Sequence, residues 1–126
     1  MTTFNTLVYD KGLEHVKNNC DLMIITNGPA NINDYAATVA LKCAEVAVTP
    51  AHFSIVDNGS ARKITRPLIQ GVATTTTDAS ADKQLALLDT ANSTVLVIED
   101  ETSDQAITVG NPVDFNANSF GFNAPA

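Results

Sequence analysis

The sequence predicts one mainly β domain spanning residues 1–126, a β-sandwich or barrel-like fold with one short N-terminal helix. Its 126 residues are the length of a single domain. The composition, 44% hydrophobic and 17% charged, is that of a globular chain rather than a disordered one. Beyond Pro50, turn signals recur about every 8–12 residues between runs rich in Val, Ile, Leu and Thr. This regular spacing of turn residues is typical of an all-β protein.

The N-terminal helix is predicted over residues 5–17. Tyr9, Leu13, Val16 and Cys20 recur at spacings of four, three and four, which places them on one helical face. The segment "CDLMIIT" follows and is too continuously apolar for a strand with one solvent-exposed face. We therefore expect it to be a central strand of its sheet.

Asp34 is the predicted N-cap of a short helix that passes into a strand at Lys42–Val48. Residues 84–100 predict a hairpin, because Asp89 and the pair Asn92–Ser93 favour a chain reversal between two apolar runs. Neither run alternates strictly, so both faces should be covered, by a second sheet or by a neighbouring molecule. Thr74–Thr77 are expected to form an edge strand.

The C-terminal segment 112–126 contains Phe115, Phe120 and Phe122 among small polar residues. Two interpretations stay open. The rings pack on the domain's own core as a last strand, which we prefer, or the segment is an extended arm that docks on a partner. Under the second interpretation these three rings are candidate partner-binding residues.

The net charge of −7 is uneven along the chain. Residues 1–63 hold five basic and six acidic groups (5 − 6 = −1), and residues 64–126 hold two and eight (2 − 8 = −6). This distribution argues against a direct nucleic-acid partner, which would need a basic surface. Arg62, Lys63 and Arg66 form the one basic cluster, either a solvated or salt-bridged strand edge or a set of charged contacts with a partner protein.

Four carboxylates, Glu99, Asp100, Glu101 and Asp104, fall between two strand-like runs. We interpret them as a solvated connecting turn, because the spacing of a calcium loop and its glycine are missing. Weak calcium binding is the alternative. A glycosidase-like pair is disfavoured, since adjacent acids on a short turn point into water and stay ionised.

The remaining reactive residue types predict no enzyme, cofactor or metal. Cys20 and Cys43 lie in or beside apolar segments, so we expect buried, reduced thiols. His15 and His52 are not at the spacing of zinc ligands, and neither has a recognisable nucleophile partner. The N-terminus lacks the features of a signal peptide, and no apolar run is long enough to span a membrane. We expect a soluble protein made in the cytosol.

Several short segments, in order along the chain, carry a resemblance. They are "GLEHVKNN", "CDLMIIT", "GP" followed by "DYAATVA", "ARKIT", "LALLDTANSTVL" and "QAITVGNPV". Together they resemble small virion structural proteins of tailed bacteriophages, some of which are capsid decoration or cement proteins. Ala61 stands where that family usually has Gly, Gln84–Leu85 replace a His-aromatic pair, and "ANIN" lengthens the loop before Tyr35.

The resemblance implies a virion component with no catalytic residues. The expected role is a decoration protein on the outer capsid surface that binds the major capsid protein, with a trimer as the favoured homo-oligomer. A neck, tail or fibre-associated virion protein is one alternative. A soluble module that binds calcium or glycans through Glu99–Asp104 is another.

Overall fold

A computed structural model describes residues 6–58, 61–100 and 105–121. It confirms a mainly β, sandwich-like domain with two antiparallel sheets and an N-terminal helix. The elements in chain order are α1 (Thr6–Asn19), β1 (Leu22–Asn27), α2 (Tyr35–Ala40), β2 (Lys42–Ala47), a 3₁₀ turn (Pro50–His52), β3 (Ser54–Asn58), β4 (Ala61–Arg66), β5 (Ile69–Ala73), β6 (Lys83–Asp89), β7 (Thr94–Asp100), β8 (Pro112–Phe115) and β9 (Asn118–Gly121). Within these ranges no helix is both long and apolar enough to cross a membrane.

The larger sheet has six strands in the order β7-β6-β1-β2-β5-β8, and the smaller sheet has three in the order β3-β4-β9. The prediction for "CDLMIIT" is confirmed, because β1 lies between β6 and β2 and its four middle residues are all buried. A strand covered on both faces needs apolar side chains on both, which explains why its sequence does not alternate.

The main core lies on the face of the large sheet that carries Met23 and Ile25. Helix α1 closes this core where it packs against β3 and β4. Leu13 and Cys20 are buried in it and Val16 is packed against it, which confirms the helical spacing seen in the sequence.

A second, smaller core lies on the opposite face of the same sheet. Ile24, Ala86 and Leu88 are fully buried there, and Tyr35 and Val39 of α2 pack against them. The predicted N-cap is confirmed, since the Ala37 backbone N–H donates to Asp34 Oδ1 at 3.0 Å. The second face of β6 is therefore covered by α2, and not by a second sheet or a neighbouring molecule as expected.

The predicted hairpin is confirmed as β6 and β7. The Asp89 carboxylate accepts hydrogen bonds from the Asn92 backbone at 3.2 Å and from its side chain at 2.8 Å. Ser93 follows with a φ of 49°, the left-handed conformation that completes the reversal. The prediction for Thr74–Thr77 is wrong: β5 ends at Ala73, and only an isolated bridge joins Thr77 to Ile107.

The C-terminal segment contributes a strand to each sheet. β8 pairs with β5, and β9 pairs with β4. Phe115 is 0% exposed and Phe120 packs against the main core, so these two rings follow the interpretation of a last strand on the domain's own core. Phe122 lies outside the described residues.

Candidate functional site

Arg66 of the predicted basic cluster is an internal residue. Its guanidinium donates to both carboxylate oxygens of Glu99, from Nη1 at 2.9 Å and from Nη2 at 2.7 Å. The two side chains are only 2% and 9% exposed. Because Arg66 belongs to β4 and Glu99 to β7, this bidentate pair ties the small sheet to the large one. Because only 2% of its side chain is exposed, Arg66 is a poor candidate for the partner contact predicted from the sequence.

The acidic segment is not a uniform solvated turn. Glu99 and Asp100 are the last residues of β7, and Glu101 and Asp104 lie outside the described residues. The strand extends further than the sequence indicated because Asp100 still pairs with Gln84 and Glu99 with Leu85. Glu99 is committed to Arg66, which removes one of the four carboxylates from a calcium site. No group of three or more metal-ligating side chains occurs in the part of the chain that the structure describes.

Arg62 also serves the fold. It lies on β4, the middle strand of the small sheet, and not at a sheet edge as expected. Its guanidinium contacts Asp57 of β3, and its Nε lies 3.1 Å from Asp10 Oδ1 of α1, in an ion pair without hydrogen-bond alignment. The salt-bridged alternative therefore describes Arg62. Lys63 is half-buried and makes no ion pair within the described residues.

The two cysteines are buried and free, as predicted. Burial raises the pKa of the Cys20 thiol to about 12. Burial also raises the pKa of Cys43, and the positive charge of Lys83 opposes that effect. Both thiols therefore stay protonated at neutral pH and are poor nucleophiles or metal ligands.

A cavity of about 500 Å³ lies between β8, Lys83 and the segment 105–111. Lys83 is 1% exposed, and its ammonium donates to the Asp78 backbone carbonyl at 2.7 Å. The other polar side chains of the wall are four amides, the Thr108 hydroxyl and the exposed Asp114 carboxylate. Nothing in the sequence pattern indicated that Lys83 would be buried, because a lysine in a strand is usually exposed.

The most unusual surface is one half of the large sheet. A single cross-strand row crosses all six strands, and its members are Ile98, Ala86, Ile24, Glu45, Val72 and Pro112. Directly paired residues of antiparallel strands point to the same face. The first three residues of the row belong to the core covered by α2, whereas Val72 is 42% exposed and Pro112 is exposed. Helix α2 thus covers the β7-β6-β1 half of this face, and among the described residues no element packs on the β2-β5-β8 half.

We call the bare half the open face and define it by Glu45, Gln70, Val72, Pro112 and Asp114. Gln70 is paired with Asp114 in the β5–β8 register and donates to its carboxylate at 3.3 Å. Glu45 forms an ion pair with Lys42 at 3.0 Å. The open face therefore combines exposed aliphatic surface with two carboxylates.

Several exposed aliphatic side chains lie on β5 or in the segments that lead into β5 and β8. Of the five large hydrophobic residues exposed in the described ranges, Val72 is on the face. Leu68, 52% exposed, directly precedes β5, and Val109, 57% exposed, lies in the turn that leads to β8. Sequence reasoning missed this surface, because alternation within one strand does not reveal which face a distant helix will cover.

Comparisons with family models, with curated proteins and with solved structures found no match for this chain.

Proposed function

We propose that the protein is a non-enzymatic structural component of a bacteriophage virion, a capsid decoration protein that binds the major capsid protein on the outer shell. The observation that carries this proposal is the open face, an uncovered half of a sheet whose other half is buried under α2. Val72 and Pro112 are its exposed apolar residues and are direct neighbours across β5 and β8, and exposed apolar surface of this kind is a common feature of protein interaction sites.

The structural roles of the charged residues also support a binding module rather than an enzyme. The two arginines and Glu99, which the sequence left as candidates for contacts or chemistry, hold the sheets and α1 together. The major capsid protein is proposed as the partner because several segments, in order along the chain, resemble phage virion proteins. Lys63 of β4 and Phe120 of β9 are half-buried residues of the small sheet, so neither belongs to the open face.

The acidic character of the domain fits the outside of a shell. A chain with a net charge of −7 is repelled by packaged nucleic acid and is compatible with an exposed position on the particle. A trimer is the oligomer we propose, because icosahedral lattices offer three-fold and quasi-three-fold positions. This part of the proposal follows from the expected location.

Heating of particles tests the stabilising role. Particles assembled with and without this chain are heated in steps, and genome release is followed with a dye that binds nucleic acid. The proposal predicts release at a lower temperature from depleted particles and recovery when the purified protein is added back. Depleted particles that are as robust as complete ones would contradict a cementing role.

A further inference from the structure

We infer that the open face binds a protein surface that presents aliphatic side chains together with lysine or arginine, and that it does not bind a second copy of this chain. The inference rests on the proposed function, in which the bound protein is the capsid shell, and adds the chemistry of the contact. It also separates the shell-binding surface from the surface used for self-association.

The composition of the open face specifies the complementary partner. Val72 and Pro112 are neighbours in the β5–β8 register and form its exposed apolar centre. Glu45 lies beside Val72 on one side, and Asp114 is two residues along from Pro112. An apolar centre with charged groups at its margin is the usual anatomy of a protein interface. Carboxylates at the margin favour lysine or arginine on the partner.

Self-association through this face is disfavoured by the same residues. Two copies related by a two-fold axis would bring the carboxylates of Glu45 and Asp114 towards those of the other copy, on chains that each carry a net charge of −7. Pairing through the neighbouring edge strand is disfavoured too, because β8 starts at Pro112, which has no N–H to donate.

One of the two carboxylates of the open face keeps an uncompensated negative charge. Lys42 forms an ion pair with Glu45, whereas among the described residues Asp114 accepts a hydrogen bond only from the neutral Gln70 amide. Asp114 is exposed, so a partner cation can approach it without displacing a buried contact. We therefore expect Asp114 to contribute the salt-dependent part of binding, and Val72 the salt-independent part.

The test uses the full chain and particles assembled in its absence. Binding of the fluorescently labelled protein to these particles is titrated for the wild type and for Val72→Asp. The matched control is Val56→Asp, because Val56 is a strand valine of similar exposure, 38% against 42%, on β3 of the small sheet. Thermal unfolding of each variant is measured first, so that a loss of binding is compared between equally folded proteins.

The inference predicts that Val72→Asp weakens binding about tenfold or more, as for a residue at the centre of an interface, while Val56→Asp changes it less than about twofold. Asp114→Lys should weaken binding and flatten its dependence on salt between about 0.05 and 0.5 M. Glu14→Lys, an equal charge change on α1, should do neither.

Three results would overturn the inference. If the wild type binds and Val72→Asp binds equally well, the open face is not the contact, although the proposed function stands. If Asp114→Lys tightens binding, the partner surface is not basic. If the wild type does not bind the particles at all, the proposed function fails and the inference fails with it.

Discussion

The ion pair between Arg66 and Glu99 predicts a large stability effect. The two side chains are 2% and 9% exposed and share two hydrogen bonds of 2.9 and 2.7 Å. Glu99→Gln keeps the shape of the side chain but leaves the guanidinium charge buried without a counter-charge. Removing one partner of a buried pair costs about 3–5 kcal/mol. That is a large part of the roughly 5–15 kcal/mol available to a domain.

The double variant separates the charge effect from packing. Arg66→Met combined with Glu99→Leu replaces both charges with apolar groups, and such replacements are often neutral or stabilising. We expect its free energy of unfolding to lie within about 1 kcal/mol of the wild type. The matched exposed pair is Lys11–Glu14, with side chains 70% and 42% exposed. Glu14→Gln should therefore change stability by less than about 0.5 kcal/mol.

The assay is equilibrium unfolding in urea, followed by far-UV circular dichroism because the chain contains no tryptophan. In thermal unfolding, Glu99→Gln should lower Tm by about 10–20 °C. A loss below about 1 kcal/mol for Glu99→Gln would refute the interpretation of a buried bridge between the sheets. A double variant that loses as much as the single one would show that shape, and not charge, matters at this position.

Three further predictions concern the fold. Gly71→Ala should destabilise the domain by about 1–3 kcal/mol in urea unfolding, because a Cβ there would lie 2.7 Å from Phe115 Cε1 and also meet the β2 backbone; unchanged stability would contradict this packing. Cys20, with a pKa of about 12, should resist iodoacetamide at pH 8 until the protein is unfolded, and rapid labelling of the native protein would contradict its burial. Burial opposes ionisation of Asp21, but hydrogen bonds from Thr90 outweigh it and lower the pKa of Asp21. Ionised Asp21 therefore adds to the free energy of unfolding above its unfolded pKa near 4, and this stabilisation is lost as pH falls through the lower folded pKa. Thr90→Val should flatten the decline in that acid range, and an unchanged pH profile would contradict the proposed link.

The local features of the fold could be predicted because each depends on neighbouring residues. The α1 face, the Asp34 cap and the Asp89 turn are set by interactions within a few positions of the chain. The central position of β1 was predictable for a similar reason, since continuous apolar sequence indicates burial on both faces.

The long-range features could not be predicted from spacing. Arg66 and Glu99 are 33 positions apart, and only the meeting of two sheets brings them together. From the sequence we therefore predicted a solvent-exposed turn for Glu99 and a surface position for Arg66. The open face was missed for the same reason, because its limit is set by where α2 packs on a sheet assembled from distant strands.

The number of copies of this chain per particle tests the proposed function most directly. Quantitative mass spectrometry of purified particles gives the molar ratio of this chain to the major shell protein. A capsid decoration protein predicts a ratio near one or a simple fraction of it, as expected for a component bound across the lattice. A handful of copies per particle would contradict decoration and place the chain at the neck, tail or fibres, and its absence from particles would contradict a virion role altogether.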